Sequence, residues 1–180
     1  VNPSGRLSVS VPQSVGHIPV FYNFKPTGRG YYHNPGTPEK PGRDYVFSST
    51  DPLFPFGFGL SYTQFEYSDL KIEKNELTEK DTIQLSVKVK NSGEIAGKEV
   101  VQVYINDKIS SVTTPIKVLK GFKKVNIDSN DVITVNFSIP CKELGLWDKN
   151  MNYIVEPGEF DIMIGASAED IKLKDSIKIK

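Results

Sequence analysis

Residues 83–90 read Ile83-Gln84-Leu85-Ser86-Val87-Lys88-Val89-Lys90, an apolar and a polar residue in strict turn. Successive side chains of an extended chain point to opposite faces, so this stretch is a strand with one face in a core and the other in water. The same period recurs downstream. Val101, Val103 and Ile105 come next. Ile133, Val135, Phe137 and Ile139 alternate with Thr134, Asn136 and Ser138. Phe160, Ile162 and Ile164 follow Pro157-Gly158, and Ile177 and Ile179 end the run. Turn-forming residues separate these segments at Asn91-Ser92-Gly93, Asn106-Asp107 and Asp128-Ser129-Asn130.

About seven short strands with turns at this spacing predict an all-β fold over residues 67–180, an antiparallel sandwich of the immunoglobulin or fibronectin III kind. The only helical expectation is one short turn at Cys141-Lys142-Glu143-Leu144. Upstream the composition changes. Residues 1–67 hold 13 of the 19 aromatics, 9 of the 12 prolines, 8 of the 14 glycines and all three arginines. Such punctuated chain reads as an extended, irregular connector. Leu7, Val9 and Val11 alternate with Arg6, Ser8 and Ser10, which predicts a strand whose partners lie upstream of Val1, in a longer chain. Residues 21–50 fit no period, which suits a segment laid across another surface. Phe54, Phe56 and Phe58 share one parity, so an extended backbone puts them on one face, and Gly57 and Gly59 allow close approach. With Tyr62 they are the candidates for inter-domain packing, an aromatic plug. A sugar-stacking platform is the alternative.

Charge narrows the partners. Lys plus Arg and Asp plus Glu both total 22, so no basic excess points to nucleic acid. No apolar run approaches the roughly 20 residues of a membrane helix. The single cysteine, Cys141, excludes an internal disulfide and follows Pro140 at the end of an apolar strand, as an inert buried thiol would. His17 and His33, the only histidines, sit in the irregular region. Asp148, Asn150, Asn152 and Glu159 match positions one, three, five and twelve of a calcium loop, but Tyr153 stands where the loop needs glycine, so a polar turn is the better reading. Asn136-Phe137-Ser138 is a glycosylation sequon on an outward-pointing position. No glycine-rich phosphate loop is present, and none of the 22 acids pairs convincingly as a glycosidic acid and nucleophile. The residues therefore nominate no catalytic, cofactor or metal site.

Three motifs occur in order: Asn2-Pro3-Ser4-Gly5-Arg6-Leu7-Ser8-Val9-Ser10-Val11-Pro12, Pro26-Thr27-Gly28-Arg29 and Pro55-Phe56-Gly57-Phe58-Gly59-Leu60-Ser61-Tyr62-Thr63. Leu119-Lys120-Gly121-Phe122 and Glu156-Pro157-Gly158-Glu159-Phe160 follow. Together they resemble the C-terminal part of family 3 glycoside hydrolases, the β-glucosidases and β-xylosidases. The resemblance implies a tail of the preceding α/β sandwich domain at residues 1–20, an inter-domain connector at 21–66 and a fibronectin III-like domain at 67–180. It implies a parent that hydrolyses terminal β-linked glucose or xylose with retention, outside the cytoplasm, in the periplasm or beyond. Neither of the family's catalytic motifs is found. Ser68-Asp69-Leu70 is only superficially similar to the nucleophile motif, which has Trp after Asp. The expected role is thus non-catalytic and structural, with the upstream catalytic domains as partners and no cofactor. The rivals are a carbohydrate-binding module and a self-association module.

Overall fold

The computed structural model describes residues 1–26, 36–42 and 49–180. Ten strands and one 3-10 turn follow in chain order. They are β1 (Phe65–Ile72), β2 (Glu76–Leu77), β3 (Thr82–Asn91), β4 (Gly97–Asp107), β5 (Val118–Ile127), β6 (Val132–Pro140), the turn Cys141–Leu144, β7 (Leu146–Trp147), β8 (Tyr153–Ile154), β9 (Gly158–Gly165) and β10 (Ile171–Ile179). They form a three-stranded sheet, β1-β3-β6, a five-stranded sheet, β2-β10-β9-β4-β5, and the separate hairpin β7-β8. All pairings are antiparallel except that of β2 with β10. The result is the fibronectin III-like sandwich that the period of two predicts.

The core lies between the two sheets. Ile83, Leu85, Val87 and Val89 of β3 and Val135, Phe137 and Ile139 of β6 meet Val101, Val103 and Ile105 of β4, Phe160, Ile162 and Ile164 of β9, and Ile177 and Ile179 of β10. On the other face of the three-stranded sheet, Gln84, Lys88, Lys90, Asn136 and Ser138 are exposed, so alternation survives there in full. Cys141 is buried and free, and burial raises its thiol pKa, which keeps it protonated and unreactive.

The five-stranded sheet breaks the pattern. In β4 every residue from Glu99 to Ile105 is buried, and in β9 Met163 is buried beside Ile162 and Ile164. At β4 and the adjoining part of β9 both faces are covered, the inner by the core and the outer by residues before 64, while β10 leaves Lys172, Lys174 and Lys178 exposed. β5 shows little alternation, because a bulge opposite Val103 and Tyr104 shifts its register.

The connector also departs from two expectations. Leu7–Val11 forms no regular strand, and the backbone partner it does have lies within the chain. Val11 bridges to Phe54. Leu7 N donates to Phe58 O and Gly57 N to Leu7 O, both at 2.8 Å; Val11 N donates to Phe54 O and Leu53 N to Val11 O, again at 2.8 Å. Residues 53–58 thus supply one pairing edge for this segment. The three phenylalanines do not share a face either. Phe58 N donates to Pro55 O at 3.1 Å and Gly57 has φ +81°, so Pro55–Phe58 is a type II turn that reverses parity.

Candidate functional site

Described residues before 64 meet the sandwich along β4 and β9, and the sequence builds this contact in layers. Phe56, at the second position of the turn, stacks on Tyr22 with ring centroids 4.2 Å apart. Both pack on a small cluster of Tyr104, Met163 and Ala168, and Tyr22 meets Tyr104 edge to face at 5.8 Å. Ala168 N donates to Phe56 O at 2.9 Å. Beside it, Gln102 Nε2 donates to Gly57 O at 3.2 Å and to Ala166 O at 2.6 Å, while its Oε1 accepts from the Tyr104 hydroxyl at 2.5 Å. A Cβ on Gly57 would stand 2.2 Å from Gln102 Oε1, so this glycine serves both the left-handed φ and the close approach. Burial lifts the Tyr104 hydroxyl well above the ordinary tyrosine range and keeps it a donor.

The second layer is polar. Arg6 Nη2 lies 2.5 Å from Glu99 Oε2, and Glu99 Oε1 accepts from the Tyr67 hydroxyl at 2.8 Å. Glu99 is 2% exposed. Burial raises its pKa, and the charge of Arg6 and the Tyr67 hydrogen bond oppose that shift without cancelling it. Asn2 closes the arch: its Oδ1 accepts from Tyr62 N at 2.9 Å and its Nδ2 donates to Ser61 Oγ at 3.0 Å. Thr63 donates to Asn91 Oδ1, which ties the end of the connector to the end of β3. His17 is buried; its Nδ1 accepts from Gln13 N, and its Nε2 lies 3.2 Å from Thr50 O, so it joins two loops.

The predicted packing residues therefore divide. Phe56 faces the sandwich. Phe54 and Phe58 pair with each other at 5.0 Å, with Phe54 still 39% exposed. Tyr62 is 78% exposed, and Leu53, Leu60 and Val9 are exposed as well. Glu99, Gln102 and Tyr22 were missed by sequence reasoning. The signal for Gln102 was present, since it interrupts the apolar run Val100, Val101, Val103, and Glu99 stands at the head of that run with the parity of the core residues Val101 and Val103.

The remaining candidates have local roles. Asp69 sits in β1 at φ 51° and pairs with Lys88 on an exposed face at 2.8 Å. Asp148 caps its own turn, Oδ1 accepting from Asn150 N and Asn152 N at 2.8 Å each, and these bonds hold its pKa below the ordinary value. Among the described residues, no three His, Cys, Asp or Glu side chains cluster as a metal site. His33 and residues 27–29 of the second motif lie outside the described residues.

Comparison with known proteins fits this architecture. Residues 99–168 match the fibronectin type III-like domain family. The chain is 40% identical, over 95% of its length, to the periplasmic β-glucosidase of Salmonella typhimurium, covering 22% of that protein. It is 40% identical, over 96% of its length, to a β-xylosidase of Formosa agariphila, covering 23%. A solved β-glucosidase from Listeria innocua, in complex with glucose, superimposes over 99% of the chain with TM-score 0.85 and 36% identity, covering 24% of that structure. The chain thus spans under a quarter of the length of these relatives.

Proposed function

From a chain that is the C-terminal part of a family 3 glycoside hydrolase, fibronectin type III-like domain included, we propose a non-catalytic role: it braces the catalytic domains of a longer β-glycosidase. The reading assigns residues 1–20 to the tail of the preceding domain, 21–66 to the connector and 67–180 to the sandwich. One observation carries it. Residues before 64 are fastened to the sandwich by Arg6–Glu99, Gln102–Gly57 and Tyr22–Tyr104, yet Val9, Leu53, Phe54, Leu60 and Tyr62 among them stay exposed. Large apolar side chains left exposed on a segment that is otherwise fastened down are available to a partner surface, and upstream domains are the partner that the length of the relatives supplies.

The parent would hydrolyse terminal β-linked glucose or xylose, the activities for which the relatives are named. It would act in the periplasm or outside the cell, as the Salmonella relative's name indicates for that protein. The test has two arms. The 180-residue chain should not turn over aryl β-glucosides or β-xylosides. In the full-length enzyme, Leu60→Asp with Tyr62→Asp should lower the melting temperature and the activity, while the same changes leave the isolated chain's stability nearly unaltered. Turnover that copurifies with the chain, or a parent indifferent to both substitutions, would refute the reading.

A further inference from the structure

The hairpin of β7 and β8 places Trp147 directly across from Tyr153, with ring centroids 5.4 Å apart and edge to face. Both rings are open to water, Trp147 at 59% and Tyr153 at 49%. They are nevertheless held firmly. Asp148 N donates to Asn152 O at 2.9 Å, and the Asp148 carboxylate caps the turn as described above. The Tyr153 hydroxyl donates to Lys142 O at 3.1 Å, and its ring lies against Gly145, where a Cβ would come within 2.6 Å of it. The connector clamp uses neither ring. An indole fixed in place and presented to solvent is a preformed apolar plate.

Trp147 forms one wall of a cleft of about 310 Å³. Asp107, Lys120, Thr113, Thr114 and Lys25 bring polar groups to the same cleft. Asp107 Oδ1 accepts from Ile109 N at 3.2 Å; a carboxylate offers about four acceptor positions, so capacity remains for hydroxyl donors. Lys120 Nζ already donates to Glu143 O, which anchors it at the rim with donors to spare. A small cleft with an aromatic wall and a few convergent polar groups has the form of a ligand site, and its volume is at the lower end of the roughly 300–1,000 Å³ such sites occupy. That is room for one or two rings. The two lysines disfavour a cation, and the Asp107 acceptor set beside donors suits a neutral polyol.

We propose that this cleft is a subsite for a neutral pyranose unit of a glycan. The C–H face of the ring stacks on Trp147. Ring hydroxyls donate to Asp107 and accept from Lys120 and Thr113. Lys25 reaches the cleft because the connector is docked beside it, Ile116 N donating to Phe24 O at 3.0 Å.

Trp147 is the only tryptophan in the chain, so fluorescence of the 180-residue chain reports on this site alone. Titration with cellotetraose and with xylotetraose should give a saturable shift of the emission with at least one of them, at a dissociation constant no weaker than about 1 mM. Calorimetry should then show Trp147→Ala abolishing binding and Asp107→Asn weakening it by about ten-fold, as loss of a charged hydrogen-bond acceptor does, with melting temperatures close to that of the parent sequence. Three results would overturn the inference: no saturable signal from either glycan on folded chain, affinity that survives both substitutions, or tighter binding of tetragalacturonate than of the neutral tetramers.

Discussion

Arg6 and Glu99 stand 93 positions apart in sequence and 2.5 Å apart in space. Their side chains are 11% and 2% exposed, so this is a buried pair. Removing one partner of such a pair strands the other charge away from water and costs about 3–5 kcal/mol, whereas apolar replacement of both is far milder. Arg6→Ala and Glu99→Ala should each lower the unfolding free energy, extrapolated from urea titration, by an amount in that range. Arg6→Met combined with Glu99→Met should recover much of the loss. Additive single effects would mean that the two groups do not stabilise the fold as a pair.

The same carboxyl gives a pH signature. Burial raises the Glu99 pKa above its ordinary 4.5. The folded chain then keeps a proton at pH values where the unfolded chain has released it, so stability falls as pH rises from about 4.5 through the folded-state pKa. Asp107, also raised by burial, adds in the same direction. Asp69, Glu76, Asp81, Asp148 and Glu159 are lowered instead, and their contributions fade at more acid pH, below this window. Urea unfolding between pH 4.5 and 7 should show a decline that Glu99→Gln makes shallower. An unchanged slope in that variant would assign the decline elsewhere.

Where alternation was clean, the sequence was a sufficient guide. Ile83 to Val89 and Ile133 to Ile139 face a core on one side and water on the other, and the period of two reports just that. It says nothing about a sheet covered twice, so the outer partners of Val100, Gln102 and Tyr104 stayed hidden. Parity misled at Phe54, Phe56 and Phe58, because one glycine at positive φ resets it. Gly57 was visible, and a glycine is what the third position of a type II turn needs, but Pro55 sits at the first position and not at the second, where proline would signal the turn. Glu99 was legible as an oddity in an apolar strand. Its partner, Arg6, lies too far along the chain for any local pattern to reveal.

The turn makes the phenylalanines separable by experiment. Phe56 packs on Tyr22, Tyr104, Met163 and Ala168 within the chain. Full burial of Phe is worth about 3–5 kcal/mol against Ala, and Phe56 is half-buried, so Phe56→Ala should cost the isolated chain about 2 kcal/mol. Phe54 contacts mainly Phe58 and stays exposed; Phe54→Ala should cost the isolated chain little and the full-length enzyme distinctly more. Thermal unfolding of both variants in both contexts decides it. Equal losses for Phe54→Ala in the two contexts would remove the case for its burial against an upstream domain.

The doubly covered strands β4 and β9 lead to a last expectation. Val100, Gln102, Tyr104 and Met163 are all buried, and the residues that clamp this face lie before residue 64. A chain shortened to residues 64–180 keeps the whole inter-sheet core, so it should retain its strands. It exposes the outer face of β4 and β9, a contiguous apolar area of a kind monomers rarely leave bare. The shortened chain should therefore self-associate, with a mass by light scattering that rises with concentration, while the 180-residue chain changes far less over the same range. Tyr104→Lys with Met163→Lys should suppress that association, because two charges on the face resist a second apolar surface, and circular dichroism would verify that the sandwich persists. A shortened chain of constant mass would mean the connector is not needed to shield this sheet. Its role would then lie wholly on the side that turns Phe54, Leu60 and Tyr62 outward.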